Sequence, residues 1–314
     1  TRWACVDALP LLFHSIAHVR AVYLAPARRP PMDHSVGGGA VRRGEEANRH
    51  RVVHREAWAS VVYVRYQHSG KMCEGALLDS DTIEEFEPGS GINGSPMGRA
   101  IPLADVRLLP PCEPSKLIIV ARNYAEHAKE TGSEPPSEPH LHPIPASSVI
   151  GHGEAIALPP GIGRVDHEAE LVVVIGRRCR GVTEEEALGY VAGYTCGNDV
   201  SARDVQWGTP PAFARAKSID TFSPLGPWLV TDLDPSDLLV ECIVSGEMRQ
   251  SGRTRDMLFP VQRLVMESSR WMTLEPGDCI YTGTPSGITP LKGGDVCEVR
   301  IEGIGSLMNP VIVG

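Results

Sequence analysis

Glu168 and Glu170 stand two residues apart at the head of an apolar run that ends at Ile175. A strand points alternate residues to one face, so these carboxylates share a face with Val172 and Val174. Ala169, Leu171, Val173 and Ile175 cover the other face. Apolar residues on both faces mark an interior strand, where two carboxylates are costly to bury unless a cation joins them. Oxygen-only donors favour Mg²⁺ or Mn²⁺, and Ca²⁺ less so because few ligands are offered. The competing reading is a frayed strand end with both carboxylates in water, and the local pattern weighs the two equally.

Asp199 adds a third carboxylate just past a strand expected over 190–196. Ser201, with Asp204 three residues on, has the spacing of a helix capping box with Asp in place of Glu. That gives Asp204 a structural duty and leaves Asp199 free to be a ligand, or simply a turn residue. His127 and Glu130 fall on one face of a helix expected over 123–131 and closed by Gly132. A carboxylate beside an imidazole fixes its tautomer, as a general base that activates water requires. With Glu126 and Lys129 alongside, a solvated helix face is the plainer alternative. Lys217 could stabilise an enolate or a carboxylate, or be a surface lysine. The hydroxyl-rich loop 282–287 could hold an anionic group, or be a turn.

Further elements must position these groups. Gly and Pro number 32 and 27, a punctuation that suits many short strands. A strand over 59–67, a turn at 68–71, a return over 73–78 and a strand over 82–86 make a small β-rich N-terminal domain, 56–112. Prolines 110, 111 and 114 punctuate the linker to a catalytic metal-binding domain, 113–314. Helices are expected over 183–191, favoured by Glu184, Glu185 and Glu186 at its start, and over 259–269.

The 314 residues carry a net charge of −9, which argues against a nucleic-acid partner. Residues 1–55 run against that balance, with nine Arg, no Lys and four acids. They read as a basic extension without its own fold, an organelle-targeting role remaining open. No apolar run reaches the roughly 18 residues of a membrane helix. Eight widely spaced cysteines with no Cys-x-x-Cys suggest a reducing, cytoplasmic setting. His140 and His142 could bind a transition metal if they lay on a strand, but their Pro-rich surroundings favour a loop. The glycines at 161 and 163 lack the rest of a phosphate-binding fingerprint, and no Gly-x-Ser-x-Gly elbow occurs.

In order along the chain, residues 122–127 with Glu130, 166–176, 198–204 with Gln206, 215–217, 282–287, and 302–305 with Asn309 and Pro310 resemble the fumarylacetoacetate hydrolase family. The resemblance spans residues 116–311. It implies a mainly β (α+β) fold, a mixed-sheet roll with a barrel-like core, usually dimeric. It implies a Mg²⁺ or Mn²⁺ site made by Glu168, Glu170 and Asp199, a water-activating dyad of His127 and Glu130, and substrate contacts from Arg203, Gln206, Lys217 and Thr284. Family substrates are 1,3-diketo acids, acylpyruvates and other 2-oxo acids. The expected activity is hydrolysis of a C–C bond in an acylpyruvate-like diketo acid, with the leaving enolate held by the metal and Lys217. Alternatives are a 2-oxo-acid decarboxylase or isomerase on the same metal, and an inactive metal-stabilised binding protein. Two departures bear on substrate. Ile144 stands where relatives commonly carry a lysine that reaches the substrate carboxylate, and Ala121 stands where many have glycine.

Overall fold

The computed structural model describes residues 61–314. The basic extension 1–55 and the first residues of the expected N-terminal domain lie outside them. Strands dominate. The largest sheet runs, edge to edge, through Pro96–Pro102, Thr82–Phe86, Lys71–Leu77, Val62–His68, Ser223–Val230, Val191–Asn198, Ala169–Ile175, Cys279–Tyr281, Leu117–Ala121 and His140–Ile144. The N-terminal hairpins join it where Val62 pairs with Val230 and Tyr63 with Leu229. A second sheet orders Glu247–Arg253, Leu239–Val244, Val296–Ile301, Gly305–Val313 and Ile156–Leu158. No described helix is long and apolar enough to cross a membrane.

The strand Ala169–Ile175 is interior, pairing with Val191–Asn198 on one side and Cys279–Tyr281 on the other. Its alternation divides two cores. Ala169, Leu171, Val173 and Ile175 enter the larger cluster, with Val240, Val299 and Leu307 of the second sheet. Val172 and Val174 enter another, with Leu117, Ile119 and Tyr281. The helix Val261–Trp271 buries Val261, Leu264, Val265 and Ser268, one stripe at helical spacing.

The expected helix over 123–131 is Ala125–Glu130, and Gly132 follows at φ +67°, a left-handed stop that glycine adopts without strain. The helix expected over 183–191 is shorter. Thr183 and Glu186 form a capping box, but the α-helix covers only Glu184–Ala187 and one 3₁₀ turn follows. Gly189 and the β-branched Val191 favour the strand that begins there.

Two local expectations are corrected. Ser201 does not cap a helix: Ser201–Ala202 is extended against Val165–Asp166, and the helix Arg203–Gln206 starts without a side-chain cap. The Ser201 hydroxyl instead donates to Asp199 O at 2.8 Å and accepts from Lys217 Nζ at 2.7 Å. His140 and His142 are not in a loop, because His140–Ile144 pairs with Leu117–Ala121 as the last strand of the sheet. An edge strand tolerates Pro143, which has no N–H to give.

Asp278 anchors the turn before the strand Cys279–Tyr281. Its fully buried carboxylate accepts from Ser115 N and Oγ, Lys116 N and Glu275 N, and pairs with the Lys116 ammonium. Burial alone would raise its carboxyl, but the Lys116 and Ser115 bonds hold it below the usual range. A depressed acid binds fewer protons folded than unfolded. Its contribution is therefore present above the unfolded value of roughly 3.9 and is lost as pH falls through the folded value. Asp278→Ala is expected to cost on the order of 3 kcal/mol at pH 7. Its urea midpoint should lie closer to wild type's in acid than at neutral pH.

Candidate active site

The register Ala169↔Asn198 sets Glu168 beside Asp199, whose N–H donates to Glu168 O at 2.9 Å. The Asn198 side chain accepts from Glu168 N at 2.9 Å and fixes the corner. Carboxylate oxygens of Glu168, Glu170 and Asp199 then lie within 4.8 Å of one another, all buried. Loop 282–287 extends alongside. Gly283 N donates to Glu170 Oε2 at 2.7 Å, and Gly287 N to Glu130 Oε1 at 3.0 Å. Its amides thus serve protein carboxylates. Position 283 needs glycine, with φ +99° and space for a Cβ only 2.6 Å from that of Asn123.

The carboxylates are unequal. Arg203 Nη2 donates to Glu168 Oε1 at 2.6 Å and Lys217 Nζ to Oε2 at 2.9 Å. Burial pushes Glu168 up, but these two cations outweigh it and hold it far below the usual range. Lys217 also pairs with Asp199, and Arg203 Nε with Asp166 at 2.8 Å. Glu170 makes no ion pair among the described residues. Burial, then the charges of Asp199 and Glu168, push it well above the usual range. Asp199 is pushed up to about 7 by burial and by Glu168, despite Lys217.

His127 Nδ1 lies 3.1 Å from Glu130 Oε2, and Nε2 lies 3.7 Å from Glu168 Oε1. Burial raises the Glu130 carboxyl, but the His127 and Gly287 hydrogen bonds bring it below the usual range. Asn123 aims this helix. Its amide donates to Phe259 O at 3.0 Å and Thr282 O at 2.7 Å, and its oxygen accepts from Phe259 N at 2.8 Å.

His127, Glu168, Glu170, Asp199, Arg203, Gln206, Lys217 and Thr284 line one cavity, with Arg122 and Phe213. Glu130 reaches it through His127. Lys217, which ends the helix Phe213–Lys217, is buried among carboxylates and so is not a surface lysine. Gln206 Oε1 accepts from Arg203 Nη1 at 2.6 Å. The Thr284 hydroxyl donates to Ala169 O at 2.9 Å and accepts from Gln250 Nε2 at 2.8 Å, so its proton is already used. Ile144 lies in the core and does not line the cavity. His140 and His142 form no metal group: His140 Nδ1 faces Arg122 Nη2 at 3.4 Å, and His142 stacks on Phe213 with ring centres 5.2 Å apart.

No spacing pattern in the sequence assigns a role to Gln250 or His167. Gln250 Oε1 accepts from Ala169 N at 3.0 Å and lies 2.9 Å from His167 Nδ1, so one amide braces both the Glu170 strand and Thr284. The only local signal is strand alternation, which turns this one glutamine inward within Glu247–Arg253.

The residues fit a divalent cation. Four buried carboxylates, including Asp166, face two buried cations, Arg203 and Lys217, with Arg164 reaching Asp166 from the solvent side. Among the described residues, Asp199 Oδ1 is buried without a hydrogen-bond partner and Glu170 makes no ion pair. All the donors are hard oxygens, the set preferred by Mg²⁺ or Mn²⁺.

Comparison with known proteins agrees with this architecture. Residues 116–312 match the family model for the fumarylacetoacetate (FAA) hydrolase C-terminal region, and 63–111 match the Rv2993c-like N-terminal model. Protein Rv2993c of Mycobacterium tuberculosis is 47% identical over 68% of this chain and 82% of its own. The bovine mitochondrial oxaloacetate tautomerase FAHD2B is 40% identical over 68% of this chain and 71% of its own. The crystal structure of 5-carboxymethyl-2-hydroxymuconate delta-isomerase from Mycobacterium smegmatis superposes with a TM-score of 0.75 at 42% identity, covering 81% of this chain and 100% of that one. The chain belongs to the fumarylacetoacetate hydrolase family.

Proposed function

We propose that this protein is a divalent-metal-dependent enzyme that moves a proton on a 2-oxo acid through its enolate, a tautomerase or isomerase. One observation carries the reading. His127, its Nδ1 held by Glu130, presents Nε2 3.7 Å from Glu168, one of the three carboxylates suited to hold the ion. A base beside that carboxylate would work at the chelating end of a substrate rather than at a distant carbonyl. An ion held by Glu168, Glu170 and Asp199 would supply Lewis acidity toward the oxo group, making the adjoining carbon acidic. His127 then takes or returns a proton at Nε2, and Glu130 keeps the ring in one tautomer. Arg203 and Lys217 fix the carboxylates and add positive charge around the developing enolate. The names of the tautomerase and isomerase relatives support the same chemistry.

Hydrolysis of an acylpyruvate would use this base on water instead. The discriminating experiment follows enol-oxaloacetate by ultraviolet absorbance with Mg²⁺ or Mn²⁺, and analyses products from acetylpyruvate. Metal-dependent loss of the enol, abolished by EDTA, with acetylpyruvate left intact is the expected result. Release of acetate and pyruvate without tautomerase activity would replace this reading with hydrolysis.

A further inference from the structure

Arg122 is a cavity-lining cation that the proposed chemistry does not use. It sits between the strand Leu117–Ala121 and the helix Ala125–Glu130 at φ +62°. That left-handed conformation is uncommon for a long side chain and easy for glycine or asparagine. A strained arginine at a cavity wall points to a function for its side chain.

Its surroundings leave the guanidinium available. Arg203 and Lys217, the other cations lining the cavity, are tied to carboxylates. Arg122 makes no ion pair among the described residues, and its Nε is buried with no hydrogen-bond partner. It is held instead by weaker contacts: Nη2 lies 3.4 Å from His140 Nδ1, and the guanidinium carbon 6.0 Å from the Phe213 ring centre. Burial, then the charges of Lys217, His140 and Arg122, push His142 below its ordinary range. Ile144 is packed into the core and offers the cavity nothing polar.

We infer that Arg122 binds a second carboxylate of the substrate and makes the site selective for dicarboxylic 2-oxo acids over their monocarboxylic counterparts. A planar guanidinium with a free edge suits bidentate recognition of a carboxylate. The inference rests on the 2-oxo-acid reading of the site, but its test needs no turnover.

The probes are N-oxalylglycine, which joins an oxo-acid-like chelating end to a second carboxylate, and N-methyloxamate, which keeps that end and lacks the second carboxylate. Both are titrated calorimetrically into the Mg²⁺-loaded protein. Wild type should bind N-oxalylglycine at least about tenfold more tightly. Arg122→Asn relieves the left-handed backbone, so folding is not at risk. It should bind both probes alike, with N-methyloxamate within about twofold of its wild-type affinity. Arg122→Lys should keep part of the preference. The inference is overturned if wild type shows no preference or binds neither probe, if Arg122→Asn keeps the preference, or if it weakens both probes equally. Failure of the tautomerase reading would appear in turnover and leave these two affinities unmoved.

Discussion

Replacing Glu170 with glutamine is expected to stabilise the protein in EDTA and to abolish the further stabilisation that Mg²⁺ gives wild type. Glu170 is fully buried, faces Asp199 and Glu168, and has no ion pair among the described residues. Glutamine keeps its shape and an oxygen for Gly283 N while removing the charge. Relief of an uncompensated buried charge is worth on the order of 1–4 kcal/mol, and each kcal/mol shifts the melting temperature of a domain this size by roughly 2–4 °C. The pH dependence has a definite sign. A raised acid binds more protons folded than unfolded, so wild-type stability in EDTA falls as pH rises above about 4.3 and through the raised folded values. Asp199, at about 7, extends that fall toward neutrality. Glu170→Gln flattens the profile. With Mg²⁺ at about 100 times its dissociation constant, wild type should gain about 2.7 kcal/mol that the variant does not. Differential scanning calorimetry across pH 5 to 8, with and without Mg²⁺, measures all of this.

His127→Ala is expected to lower kcat by roughly 10²- to 10⁴-fold while leaving the calorimetric Mg²⁺ affinity near wild type, because the ring lies 3.7 Å from Glu168 and is not among the three carboxylates proposed to hold the ion. Glu130→Gln should lose roughly tenfold to a hundredfold, since an amide can present N–H to Nδ1 and favour the wrong tautomer. Because Glu130 also accepts from Gly287 N, the glutamine variant's thermal stability is the control. Equal turnover in wild type and His127→Ala would remove the base assignment.

Much of this site was legible because it is local. The two faces of residues 169–175 follow from a period of two, and the His127–Glu130 pair from helical spacing. What the sequence hid depends on distant partners. Ser201 carries a local capping pattern, yet Lys217, sixteen residues on, and the pairing of Ser201 with Asp166 draw it inward. Gln250 acts more than eighty residues from the strand it braces, and Asn123 clamps Phe259 and Thr282 from farther still. His140–Ile144 resembles a loop in composition and becomes a strand because an edge accepts proline. Ile144, at the position where relatives commonly carry a lysine, is a core residue, and among the described residues lining the cavity Arg122 is a cation without an ion pair.

The central claim is that His127 moves a proton at carbon 3 of a 2-oxo acid beside a metal held by Glu168, Glu170 and Asp199. Proton NMR in D₂O on oxaloacetate with the Mg²⁺-loaded protein tests it most directly. Exchange of the C3 protons well above the protein-free rate, lost in EDTA and in His127→Ala, is the predicted result. Exchange at the protein-free rate, or equal exchange in the alanine variant, would contradict it.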